Sequence, residues 1–173
     1  MALPQQKFRE IVFLLLYSHD MGKASDEETL KLIMKELEVT KKSVTSAQER
    51  MFLILEKQDE LDKMITSVST SYEFERIQSV ERNVLRLGVF ELFFDTEVPP
   101  KVAIAEAMRL TRKFSTPESS NFVNALLDTL YKKSIGENVN LVNITLTADS
   151  LIKSEEFSHE AALTKLIPVE EEE

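Results

Sequence analysis

A chain of 173 residues is long enough for one domain with a real core, and 43% hydrophobic against 29% charged residues is a globular balance, not a disordered one. The absence of cysteine excludes disulfides, thiol catalysis and cysteine-ligated zinc, and fits a reducing compartment. The formal net charge of -9 is unevenly spread: residues 134–173 hold nine acidic and two basic side chains, whereas 101–133 hold six basic and three acidic, so a polyanionic partner is not excluded.

Residues 4–18 read as a helix, with Phe8, Ile11, Val12, Leu15 and Leu16 on one broad stripe. Phe13 and Leu14 lie off that stripe, which predicts burial on more than one side. The apolar run Ile11 to Tyr17 is too short to span a bilayer, and no small-residue cleavage site follows it. The expectation is a cytoplasmic protein with no membrane partner. Gly22 breaks this helix, and Ser25 reads as the N-cap of a second one over 26–37. A long third helix is predicted from Lys41 to Thr66, with Val44, Met51, Leu55 and Leu61 among its apolar positions. After "SVSTSYE" comes a short helix, then Val80 to Phe94, which is apolar nearly all round and reads as the central helix.

Pro99 and Pro100 separate that helix from the next, over 100–114, whose stripe is Ala103, Ala107, Leu110 and Phe114. Thr116 and Pro117 then cap and open a last helix with Val123, Leu126, Leu127 and Leu130 inward. The expected buried set is Leu16, Leu85, Leu87, Leu92, Ala103, Leu110, Val123 and Leu126. Beyond Ser134 the pattern fails. "VNLVNITLT" has the composition of a lone strand, and "IPVEEEE" reads as solvated. The organisation is thus an all-α bundle of six or seven helices over 1–133, followed by an acidic, flexible tail over 134–173.

No catalytic constellation emerges. Gly22, Gly88 and Gly136 are far apart, so there is no glycine-rich phosphate loop. His19 with Asp20 is one dipeptide and reads as a solvated helix end, not a metal site. Glu81, Glu91 and Glu106 are carboxylates in apolar surroundings, and structural pairing with arginines explains them. The expectation is a non-enzyme with no cofactor, no metal and no small-molecule substrate.

The basic side chains carry more information. Arg109 and Lys113 are four residues apart on one helix face, with Glu106 before them and Lys101 and Arg112 flanking. On the next helix Phe122 sits at the margin of the apolar stripe beside Glu118 and Asn121. An aromatic at a polar helix start, next to cations that hold phosphates, can stack a splayed base. The pattern alone favours the reading of Phe122 as core.

"VERNVLRLGVFEL", "VPPKVAIAEAMRLTRKFS" and "SSNFVNALLDTL" resemble, in order and without a gap, the C-terminal half of the NusB family of bacterial transcription antitermination factors. "REIVFLLLYSHD" resembles the family's first helix more loosely. The resemblance covers about residues 5–133 and implies two packed three-helix units sharing the central helix. It implies binding of the boxA element of ribosomal RNA leaders together with ribosomal protein NusE, within an elongation complex carrying other Nus factors, to promote read-through in ribosomal RNA operons. Carried onto this sequence, Lys7, Arg9, Lys101, Glu118, Asn121 and Phe122 become RNA-side residues, joined by Arg109, Arg112 and Lys113 from the charge pattern. Glu75 and Glu81 become residues for a basic NusE surface. Lys7 and Arg9 stand where the family often has an arginine cluster, so RNA affinity without NusE is expected to be weak. The alternative is a helical protein-interaction module that kept the fold without RNA binding. A methyltransferase accessory domain of similar fold is the third reading, and the chain lacks the glycine-rich cofactor domain it would serve.

Overall fold

The computed structural model describes residues 2–23 and 26–166. Its helices are α1 (Gln5–Asp20), α2 (Glu27–Glu36), α3 (Lys41–Glu56), α4 (Gln58–Val68), α5 (Ser79–Phe93), α6 (Pro100–Phe114), α7 (Pro117–Ser134) and α8 (Val142–Leu166), with one 3-10 turn at Phe74–Arg76. Among the described residues there is no strand. The seven α-helices up to Ser134 match the expected bundle.

Local chemistry sets the helix starts. The Thr116 hydroxyl accepts the Ser119 N–H at 3.2 Å, and Pro100 and Pro117 occupy first-turn positions, where a missing N–H costs nothing. The Asp26 carboxylate caps α2 by accepting the Glu28 N–H at 3.1 Å. The expected Ser25 cap, like the solvated end 167–173, lies outside the described residues.

Helix α5 is the hub. It packs against α1, α3, α4, α6 and α7, which is why its sequence is apolar nearly all round. Gly88 lies where α5 faces α6 and α7: a Cβ there would lie 2.9 Å from Leu127 Cδ1 and 3.5 Å from the Ala107 Cβ. Of the expected core, Leu16, Leu85, Leu87, Ala103, Leu110, Val123 and Leu126 are buried, and Phe13 joins them from off the main stripe. Leu92 is only half-buried, because it lies in the last turn of α5 at the margin of the packed faces.

Two elements depart from the sequence reading. The single helix expected over 41–66 is broken at Lys57, whose N–H turns back to the Ile54 carbonyl at 3.1 Å and whose ammonium lies 4.3 Å from the centre of the Phe94 ring. The buried residues Val44, Ala47, Met51, Ile54, Leu61, Ile65 and Val68 keep a helical spacing across the break, so periodicity does not reveal it. The break redirects the chain: α3 packs on α1, and α4 on α5 and α7.

The larger departure is after Ser134. Residues 142–166 form the longest helix of the molecule, not a solvated tail or a lone strand. It packs on α7 and buries Ile144, Ala148 and Leu151, spaced i, i+4, i+7. Burial of that stripe overrides the weak helix propensity of its valine, isoleucine and threonine residues.

Candidate nucleic-acid and partner interface

The cations gathered at the end of α6 meet acids of their own chain. Arg109 donates to Glu10 at 2.7 Å, to Glu106 at 3.0 Å and to the Gln6 carbonyl at 3.2 Å. The Lys113 ammonium donates to the other oxygen of Glu10 at 2.9 Å. Burial disfavours the charge of Glu10, but hydrogen bonds from Lys113 and Arg109 outweigh it and hold the carboxyl below its ordinary range. Burial likewise opposes the charge on Arg109, and hydrogen bonds to Glu106 and Glu10 reverse the balance and raise its pKa.

Arg9 completes this network from inside. It is 6% exposed and donates to Glu91 at 2.7 Å, with Glu106 3.8 Å from its guanidinium. Burial is the larger influence on Glu91 and raises its pKa despite the arginine. The assignment of Arg9 to an RNA surface is therefore corrected: it ties α1 to α5 and α6. Arg109 and Lys113 keep some exposure but are already engaged.

Phe122 is 0% exposed, and its ring centroid lies 5.2 Å from that of Tyr72. An exposed base-stacking platform is thus corrected to a core aromatic pair. Glu81, expected to face a partner, is 3% exposed; one oxygen accepts the Ser115 hydroxyl and the other has no hydrogen-bond partner. The remaining residues of the expected sites face solvent. Lys101, Arg112, Asn121 and Glu75 are exposed, and Lys7 and Glu118 partly so. Among the described residues Lys7, Lys101 and Arg112 have no ion-pair partner.

A second polar cluster joins the end of α1 to α5. Asp20 accepts from Ser79 at 2.7 Å, Arg82 at 2.9 Å and Asn83 at 3.1 Å. Burial pushes its carboxyl up, but these bonds outweigh it and bring the pKa down to about 2. Arg86 donates to Asp62 at 2.8 and 2.9 Å. The helix-end reading of Asp20 is therefore incomplete: its side chain is a junction, not a solvated terminus.

Sequence reasoning did not single out Tyr72, Gln78 or Glu155. The Tyr72 hydroxyl donates to Glu155 at 3.0 Å, and Gln78 donates to the same oxygen at 3.3 Å. Burial first, then the Glu155 carboxylate, raise the Tyr72 pKa and keep it a donor. The one available signal was position: Glu155 continues the Ile144, Ala148, Leu151 stripe by one more turn. Among the described residues there is no cluster of three metal-ligating side chains and no helix long and apolar enough to cross a membrane.

Comparison with known proteins places this geometry in a family. The sequence model described as the NusB family matches residues 6–132. The transcription antitermination protein NusB of Chlamydia pneumoniae is 38% identical over 136 residues, which is 78% of this chain and 85% of that protein. The fold is similar to that of T. maritima NusB, with a TM-score of 0.64 and 31% identity over 77% of this chain and 94% of the other. It is also similar to NusB in the crystal structure of antitermination factors NusB and NusE in complex with dsRNA, with a TM-score of 0.62 and 28% identity over 75% and 96% of the two chains. The chain belongs to the NusB family.

Proposed function

We propose that this protein is a non-enzymatic, cytoplasmic transcription antitermination factor that binds boxA-type RNA jointly with NusE and acts with other Nus factors on the elongation complex. The observation that carries this reading is the match of residues 6–132 to the NusB family, together with the similar fold of a NusB bound to NusE and dsRNA.

The residue assignment follows from what the protein has left free. With Arg9, Arg109 and Lys113 held by Glu91, Glu106 and Glu10, phosphate contact falls chiefly to Lys7, Lys101 and Arg112, beside Glu118 and Asn121. So few cations predict weak RNA binding by this protein alone, with a shallow dependence on salt. Glu75 is the exposed carboxylate available to a basic partner surface. The inward commitment of Phe122 and Arg9 is the one observation that favours the second reading, a protein-interaction module without RNA binding.

The test is a titration of boxA RNA against this protein, NusE and the two together. The mixture is expected to bind tighter than either component. Lys101→Glu with Arg112→Glu should weaken binding to all RNA sequences alike, because phosphate contacts carry no base information. A mixture no tighter than its better component would replace antitermination by the interaction-module reading.

A further inference from the structure

We infer that α8 is a displaceable cover over a protein-docking surface formed by Tyr72, Gln78 and Glu81 beside the start of α7. This rests on the reading above, in which the docking protein is NusE, and adds to it that α8 and the partner exclude one another.

The placement comes first. Helix α8 runs back along α7. Its first residues, Val142 and Asn143, share a cleft with Ala125 and Thr129, whereas Leu151, Ser154 and Glu155 share another with Ser119 and Thr116. Phe122 lies between Ser119 and Ala125 on the same helical face, so α8 passes across its level. The helix thus closes over the aromatic pair Tyr72 and Phe122 and over the groups flanking them. The NusB family match ends at residue 132, before this helix begins. T. maritima NusB aligns over 94% of its own length while matching 77% of this chain. The cover is therefore an addition to the shared bundle.

The chemistry of the covered surface selects the partner. The cleft of about 270 Å³ under α8 is lined by two carboxylates, Glu81 and Glu155, and by hydroxyls, with no cation. Glu81 is buried there with one oxygen unpartnered. A buried acceptor without a donor is costly, and a lysine or arginine from a docking protein supplies the donor and the charge. RNA phosphate would meet two negative groups instead. The surface therefore fits a basic protein segment, not a nucleic acid.

The way α8 is held makes it releasable. Among the residues of α8 whose burial is described only Ile144, Ala148 and Leu151 are buried, and residues 156–165 are all exposed. Ile152 adds a half-buried apolar contact, and the other attachments are polar: Glu155 on Tyr72 and Gln78, and the Ser71 and Thr145 hydroxyls 2.8 Å apart. Water replaces such bonds at small net cost. Glu155 also brings a second carboxylate toward Glu81, which a basic partner residue would relieve and α8 does not.

The absence of native cysteine allows a clean reversible lock. In the full chain, Ser71→Cys with Thr145→Cys should form a disulfide that pins α8. NusE is titrated against the oxidised and reduced forms, with and without boxA RNA. Reduced protein should bind like the parent, and oxidised protein at least tenfold more weakly. Ala148→Asp, which puts a charge under α8, should bind several-fold tighter than the parent while keeping a cooperative unfolding transition. Amides of 142–155 should exchange hydrogen much faster than those of α5. Equal NusE affinity in the oxidised and reduced forms overturns the cover and leaves the antitermination reading standing. Amides of α8 that exchange only with global unfolding overturn it too, whatever the binding data. A lock that blocks RNA but leaves NusE binding unchanged overturns the choice of a protein partner. Absence of NusE binding and RNA binding in every form, Ala148→Asp included, overturns the antitermination reading itself.

Discussion

Arg9 shows how little of an ion pair is visible locally. Its partner Glu91 is 82 residues away, and an arginine in the second turn of a helix reads the same whether it faces RNA or the core. Removing one member of a buried pair leaves the other charged and desolvated. Arg9→Ala should therefore cost about 3–5 kcal/mol in urea denaturation, and Arg9→Met with Glu91→Leu should recover most of it. A loss below about 1 kcal/mol in the single variant would return Arg9 to the surface. Asp20 makes a pH prediction. Its folded pKa of about 2 lies below the ordinary value of 3.8, so its contribution is present above pH 4 and disappears as the pH falls toward 2. After allowance for partial exposure this amounts to about 1–2 kcal/mol. Asp20→Asn should lower stability at pH 6 and flatten the pH dependence between 4 and 2, compared with the parent in matched denaturant titrations. The Glu106 and Arg109 pairing was legible, being three residues apart on one helix. The reach of Glu10 from α1 was not, because nothing in its neighbours encodes what α6 carries.

At the scale of the element, caps and periodicity were good guides wherever one helix faced one core. The Thr116 and Pro117 start of α7 and the stripes of α1, α5 and α6 needed no tertiary information. The break at Lys57 escaped because both sides of it keep the same apolar phase, so only the direction of packing changes. Helix α8 escaped for the opposite reason: its composition favours strand, and its narrow stripe has meaning only once α7 offers a face to receive it. A packed α8 changes the expectation for stability. Leu151→Ala should cost about 2 kcal/mol in thermal or chemical denaturation, near the low end for a buried leucine because the site lies at the rim. No change in the unfolding midpoint would return residues 142–155 to a solvated tail.

Across the whole molecule, the bundle was readable because one helix is apolar nearly all round and must therefore lie in the middle. The site was less readable because six of its expected residues are cations, and whether a cation faces solvent or an acid depends on how α1 and α6 meet. The shared role of α5 makes the two halves one cooperative unit. Leu87→Ala, opening a cavity at that centre, should cost about 2–5 kcal/mol and shift the unfolding of both halves together. Two separate transitions in that variant, followed by far-UV circular dichroism and by hydrogen exchange in α1 and α7, would show the halves to be independent.

The bare backbone at Gly88 reaches further than its own contacts. Leu127 rests there from one side of α7, while the opposite side of α7 carries α8, so the three helices are stacked like courses of brick on one missing methyl group. A methyl group at 88 would first meet the flexible tip of Leu127, which can turn aside, whereas a larger side chain would act as a wedge in the lowest course. Such a wedge would press on Leu127 and so on α7, the helix that carries α8. A small residue at 88 therefore serves the packing of α5 on α7 and, through α7, the seat of α8.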